Sequence, residues 1–170
     1  MLIGDVLAVV ASLFGIALTS WATLLAFRLM FPRPVELARR EIDRRPWANA
    51  FVGTGILLIP GGIFLLLLSA GPAPVKIFGF VGFAWLLAIG AIGAAGLAAS
   101  LESRMEGVTG FARTSRATAI LVGASNLPLL GWFVFGPAVL MVALGAGARA
   151  ILRSARSTAT VPPPIAGEVA

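Results

Sequence analysis

Few side chains in this sequence could do chemistry, and they stand far apart. Asp5 is the only carboxylate in the first apolar run, and Arg28 is its only cation. Ser125-Asn126-Leu127-Pro128 is the only strongly polar interruption of the last run. Acids within a membrane mark proton or ion paths when a second titratable group can relay to them. The other runs offer Asp5 no such partner, so it reads as an interfacial acid beside the positive end of a helix dipole. Arg28 lies near the end of its run, where a long stem carries the guanidinium to the headgroups. Asn126 has two readings. A broken helix near the midplane can bind an ion or small solute. Alternatively, the amide bonds across to a neighbouring helix or to a carbonyl freed by Pro128.

The missing residue types exclude more than the present ones suggest. There is no cysteine, histidine or tyrosine. That removes disulfides, iron–sulfur clusters and thiolate chemistry. It also removes imidazole ligation of haem, zinc or chlorophyll, and the commonest general base. The four methionines form no ligand-like pair. A serine or threonine nucleophile would need a lysine or histidine beside it, and the one lysine, Lys76, follows a turn far from any candidate. There is no phosphate loop and no paired-carboxylate signature. The expectation is a non-enzyme with no catalytic residue, no cofactor and no metal. Trp21, Trp85 and Trp132 read as packing or lipid-facing residues, and Trp47 as an interfacial anchor.

Such sparse chemistry belongs with the elements that must carry it. Hydrophobic residues make up 59% of the 170 and charged residues 12%, against roughly 45–50% and about 25% in soluble domains. A soluble fold of this size could not hide that much apolar surface, and a bilayer can. The predicted class is an all-α integral membrane protein, a bundle of four transmembrane helices. The spans fall at about 2–31, 48–70, 75–101 and 117–152, within one membrane domain of residues 1–152. A flexible tail is expected over 153–170. The first span is too long for a signal peptide and carries Asp5 where a positive charge would stand. Residues 34–45 read as a short amphipathic interfacial helix, with Val35, Ala38 and Ile42 on one stripe and i,i+4 pairs Glu36–Arg40 and Glu41–Arg45. Pro60, beside Gly61 and Gly62, should kink the second span. The Ala-, Gly- and Arg-rich, Lys-poor composition suggests a bacterium with a GC-rich genome.

The net charge of +6 comes almost wholly from twelve arginines. They lie in short loops without interleaved aromatics, so nucleic acid is not an expected partner. They read instead as topology signals facing anionic lipid on the cytoplasmic side. The first connection holds Arg33, Arg39, Arg40, Arg44 and Arg45 beside Arg28, the second only Lys76, and the third Arg104, Arg113 and Arg116. This puts the first and third connections in the cytoplasm of a bacterial inner membrane and the N-terminus outside. The last run is the difficulty. A single long helix, kinked at Asn126–Pro128 and Gly136–Pro137, leaves Arg149, Arg153 and Arg156 outside, against the rule. A hairpin bending at either break would return them inside, with arms short for a full crossing. The favoured expectation is the single kinked helix, because the strongest loops set orientation.

Two stretches look built for close helix contact. Gly90–Ala94–Ala98 and Ala91–Ala95–Ala99 form small-xxx-small rows on the third span, and Ala11–Gly15–Thr19 forms another on the first. Small residues let backbones approach where no hydrophobic effect separates helix from lipid. The rows serve either packing within the bundle or docking onto another membrane protein.

Phe31-Pro32 before an Arg/Glu helix, Arg45-Pro46-Trp47 opening a span that contains Pro60, and Leu127-Pro128-Leu129-Leu130-Gly131-Trp132 together carry a resemblance. They are similar to the four-helix membrane region at the C-terminus of bacterial bactofilin-like polymer-forming proteins. The likeness covers Leu24 to Leu152. It implies the membrane half alone, since no β-helical domain precedes the first span, and it brings no activity with it.

Three readings of function follow. The leading one is a non-enzymatic membrane subunit that packs against other integral membrane proteins, or against itself, to stabilise or assemble a complex. The second is a small-solute or ion pathway through the bundle. The third is a membrane anchor whose basic helix recruits a cytoplasmic partner.

Overall fold

The computed structural model describes residues 3–107 and 109–159, with the backbone alone for residues 3 and 157–159. Among the described residues all regular structure is helical. The helices are α1 (Ile3–Met30), α2 (Pro32–Arg44), α3 (Pro46–Ile56), α4 (Gly62–Ala70), α5 (Ala73–Ser103), α6 (Phe111–Asn126) and α7 (Gly136–Ala159). Four stretches are long and apolar enough to cross a membrane: Gly4–Met30, Pro46–Ala70, Ala73–Ser103 and Gly131–Arg156.

The prolines punctuate these helices in two ways. Phe31, Arg45 and Leu127 each leave the helical region just before Pro32, Pro46 and Pro128. Proline clashes with an α-helical residue before it, yet suits the first turn of the next helix, where its missing N–H costs nothing. One residue therefore suffices to separate α1 from α2 and α2 from α3. Pro60 behaves differently. It sits in a π-turn, Leu57–Gly61, that joins α3 to α4 without a break. The widened turn absorbs the hydrogen bond that proline cannot make. A second π-turn, Gly131–Phe135, leads directly into Gly136 and Pro137, so Pro137 lies in a continuing helix and not at the expected break.

The centre of the bundle is held by backbone-to-backbone contact. Helix α7 lies between α3 and α5 and packs extensively on both. A Cβ on Gly145 would lie 1.9 Å from the carbonyl oxygen of Asn49 in α3, and one on Gly147 would lie 2.2 Å from that of Ile89 in α5. Residues two apart on a helix point about 200° apart, so these glycines open opposite faces of α7. Gly53 and Gly93 answer them, their missing Cβ atoms directed at the carbonyls of Met141 and Ala143. Leu144 fills the centre, 2% exposed. In lipid such close approach supplies the dispersion contact that holds helices together.

The last apolar run differs from the expectation of one kinked helix over 117–152. It is two helices that reverse direction. Leu127 takes an extended conformation, and Gly131 packs straight back on the carbonyls of Ala124 and Ser125. Both ends of the run then meet α2. Arg113 shares a cavity with Glu36 and Arg39, while Ala146 and Ala150 pack on Ala38 and Ile42. The hairpin alternative, bent at Asn126–Pro128, describes this path. The physical cause is the extended residue that Pro128 enforces.

Two further expectations need correction. The tail expected from 153 starts as helix, because α7 continues to Ala159; residues 160–170 lie outside the described residues. The apolar stripe of α2 does not face lipid. Val35, Ala38 and Ile42 are buried against α5 and α7, because small residues on those helices leave a groove that the stripe fills.

Candidate functional site

The polar groups scattered along the sequence converge on α2, which the fold surrounds with α1, α5 and α7. Glu36 accepts two hydrogen bonds from Arg39, each at 3.0 Å, and one from Arg40 at 3.1 Å. The bidentate Arg39 fork holds the Glu36 carboxyl below its ordinary 4.5, against a smaller opposing effect of burial. Glu36 in return keeps Arg39 more firmly charged.

Glu41 is the deepest charge, its side chain 3% exposed. It pairs with Arg153 and, at 3.8 Å, with Arg149. The local Glu41–Arg45 pair expected from i,i+4 spacing is therefore replaced by a tertiary one. Helix packing turns Glu41 toward α7 and away from solvent, where Arg149 and Arg153 reach it. Asn49, fully buried, donates from Nδ2 to the carbonyl of Glu41 at 2.8 Å, and its Oδ1 has no hydrogen-bond partner among the described residues. Asp43 accepts from Ser100 and lies 3.9 Å from Arg104. Arg28 pairs with Glu102, which also accepts from Thr114. Arg28 is thus engaged within the protein and is not simply reaching for headgroups.

The rows of small residues part company. On α5, Gly90, Ala95 and Ala98 are buried, with Ala91 and Ala94 half-buried, so that face is turned into the bundle, where Gly90, Ala91 and Ala94 border a cavity. On α1, Ala11, Gly15 and Thr19 are exposed, and no neighbouring atom lies within 4 Å of where a Gly15 Cβ would stand. In its second half α1 is tied to the rest of the bundle, where Trp21 donates to the carbonyl of Ser115 at 3.2 Å and Leu25 is buried.

Asn126 lines a cavity of about 420 Å³ with Thr19, Ser20, Thr23, Gly90 and Ser125. Its Nδ2 donates to the Val122 carbonyl of its own helix at 2.9 Å, and not across to another helix. Pro128 only turns the chain, and Pro60 lies elsewhere. The two breaks therefore do not assemble one site. Arg33 is exposed, as are Arg44 and Arg45. Among the described residues, no group of three or more His, Cys, Asp or Glu side chains could hold a metal ion.

Sequence reasoning missed Asn49, Glu41, Gly53, Gly145 and Gly147. The signal was there for Gly147, since Ala143–Gly147 is a small-xxx-small step like those on α5, whereas Gly53 and Gly145 have no small residue four positions away. Nothing in the sequence says that Glu41 is buried.

Fold and site together define a helical protein with four helices compatible with membrane crossing and a charged layer locked around one short helix. No family model, curated protein or solved structure matches the chain.

Proposed function

We propose that this chain is a non-enzymatic membrane subunit that packs against other membrane helices, either a partner's or its own copy's, to stabilise a larger complex. The observation that carries this reading is the first half of α1. Ala11 and Gly15 are exposed there, with open space where a Gly15 Cβ would stand, while most of the small residues of the α5 rows are buried in the bundle. A row of that kind in lipid gives close packing to whatever helix meets it. The membrane is the bacterial cytoplasmic one, with the N-terminus outside and the first and third connections inside. The reversal at Leu127 supports that orientation, because it returns Arg149 and Arg153 to the α2 side and removes the conflict with the positive-inside rule.

Native mass measurement after mild detergent extraction tests the proposal. The full chain should carry a partner or a second copy, and the double variant Ala11→Leu with Gly15→Leu should lose it while melting at the same temperature. A lone monomer under every mild condition would contradict the proposal.

The cavity beside Asn126 favours a second reading, a pathway for a small solute. In that case liposome flux should fall in Asn126→Leu. Flux that is absent, or unchanged in the variant, removes it.

A further inference from the structure

The cavity of about 420 Å³ beside Asn126 is walled by α1, α5, α6 and α7. Its depth follows from α5. Ala91, on its wall, stands about 18 Å from the Ser103 end of that helix and about 27 Å from its Ala73 end, at 1.5 Å of rise per residue. That level of a membrane-crossing helix falls within the hydrocarbon core, which is roughly 30 Å thick. Thr19 and Thr23, which line the cavity from α1, are exposed, so it opens sideways between helices.

The walls differ in kind. From α5 and α7 come small residues, among them Ala91, Ala94 and Ala143, whose short side chains leave the space open. From α1 and α6 come the polar groups of Thr19, Ser20, Thr23, Ser125 and Asn126. None of the lining side chains is charged. A charged ligand would find no counter-ion there, and an unpaired charge at the bilayer centre is costly.

The hydrogen bonds already made narrow the ligand further. Thr23 donates its hydroxyl proton to the Thr19 carbonyl at 2.7 Å, and Ser125 donates its own to the Leu121 carbonyl at 2.9 Å. Both hydroxyls then have only lone pairs to offer. Asn126 gives one amide hydrogen to the Val122 carbonyl and keeps a second beside its Oδ1. The polar wall therefore accepts and donates, as a hydroxyl does, whereas an ether oxygen can only accept.

We propose that this cavity holds the head of a neutral lipid alcohol, with the hydroxyl against Ser125 and Asn126 and the hydrocarbon along the small residues of α5. The inference rests on the helices crossing a membrane and needs neither a protein partner nor solute flux. A lone monomer, or liposomes without flux, would remove those readings and leave this one standing.

The test uses the full chain in phosphatidylcholine nanodiscs. It is offered, at equal membrane loading, a long-chain primary alcohol carrying a diazirine, its methyl ether, or the matching alkylammonium, and photoadducts are located by peptide mass spectrometry. Adducts should fall within residues 19–24, 87–94, 121–126 or 136–143. The alcohol should label about fivefold more than the ether, the scale of one net hydrogen bond, and the ammonium should label least. Ala94→Leu fills the space and should remove the labelling, while Gly123→Leu, which adds bulk on the open side of α6, should keep it. Asn126→Leu should bring the alcohol down toward the ether. Competition by unlabelled alcohol in the parent chain, stronger than by unlabelled ether, needs no variant to fold. Adducts elsewhere, equal labelling by alcohol and ether, labelling by the ammonium at the level of the alcohol, or full labelling in folded Ala94→Leu would each overturn the proposal.

Discussion

Glu41 on α2 is ion-paired with Arg153 near the end of α7, so the last helix is tied to one of the first connections in the chain. Buried at 3% exposure and shared with Arg149, this carboxylate decides where α7 ends up. Without a partner a buried charge is costly, which makes the pairing a strong constraint even where its net contribution to stability is small.

Removing the carboxylate should therefore do more harm than removing either arginine. Glu41→Ala leaves Arg149, 28% exposed, without its carboxylate while the exposed Arg153 turns to solvent, and should cost about 1–3 kcal/mol. Arg149→Gln or Arg153→Gln leaves Glu41 with one partner and should cost less. Thermal unfolding in detergent reads this order. Equal small losses in all three would mean that Glu41 is solvated and does not fix α7.

The glycine contacts predict a second contrast. Gly145→Val places a side chain where the Asn49 carbonyl already stands and should cost at least about 1–3 kcal/mol, the range for overpacking. Gly147→Val should do the same against Ile89. Gly15→Val, on the open face of α1, should leave the melting temperature within a degree or two of the parent, since surface changes fall within about 0.5 kcal/mol. A collapse of stability in Gly15→Val would show that α1 is covered within the chain.

Acid should loosen the exposed end of α2 before anything else on it. The carboxyl of Glu36 is held below its ordinary 4.5 by Arg39. A depressed folded value gives stability that is present above the unfolded value and lost as pH falls through the folded one. Opening of residues 32–40, read as hydrogen exchange divided by its intrinsic rate at each pH, should be steady from neutral pH down to about pH 5 and rise below pH 4.5, and Glu36→Gln should remove that rise. A rise beginning at neutral pH would assign the effect to another group.

Much of the fold was legible because the strongest signals are the simplest. Apolar runs longer than a bilayer needs gave the four candidate spans, and Pro32, Pro46 and Pro128 gave the breaks. What was not legible was tertiary. A sequence shows that Pro60 lacks an N–H, but not that a π-turn will accommodate it. The spacing of Glu41 and Arg45 suits a local pair, and only the packing of α2 against α7 turns Glu41 away from it. The single-helix expectation for 117–152 weighed loop charges and gave too little weight to Leu127, whose extended conformation before Pro128 sends the chain back. For the candidate site, the basic residues of α2 were visible, but Glu102, Ser103 and Arg113, which line the same cavity as Arg39, lie far away in the chain.

The reversal at Leu127 brings the arginines of α7 back beside α2. The chain contains no cysteine, so single-cysteine labelling with a membrane-impermeant maleimide reads sidedness directly. Cysteines placed at Arg33, Arg104 and Arg156 should all react from the cytoplasmic side, and one at Lys76 from the opposite side. Labelling of position 156 from the same side as position 76 would contradict the reversal and the orientation built on it.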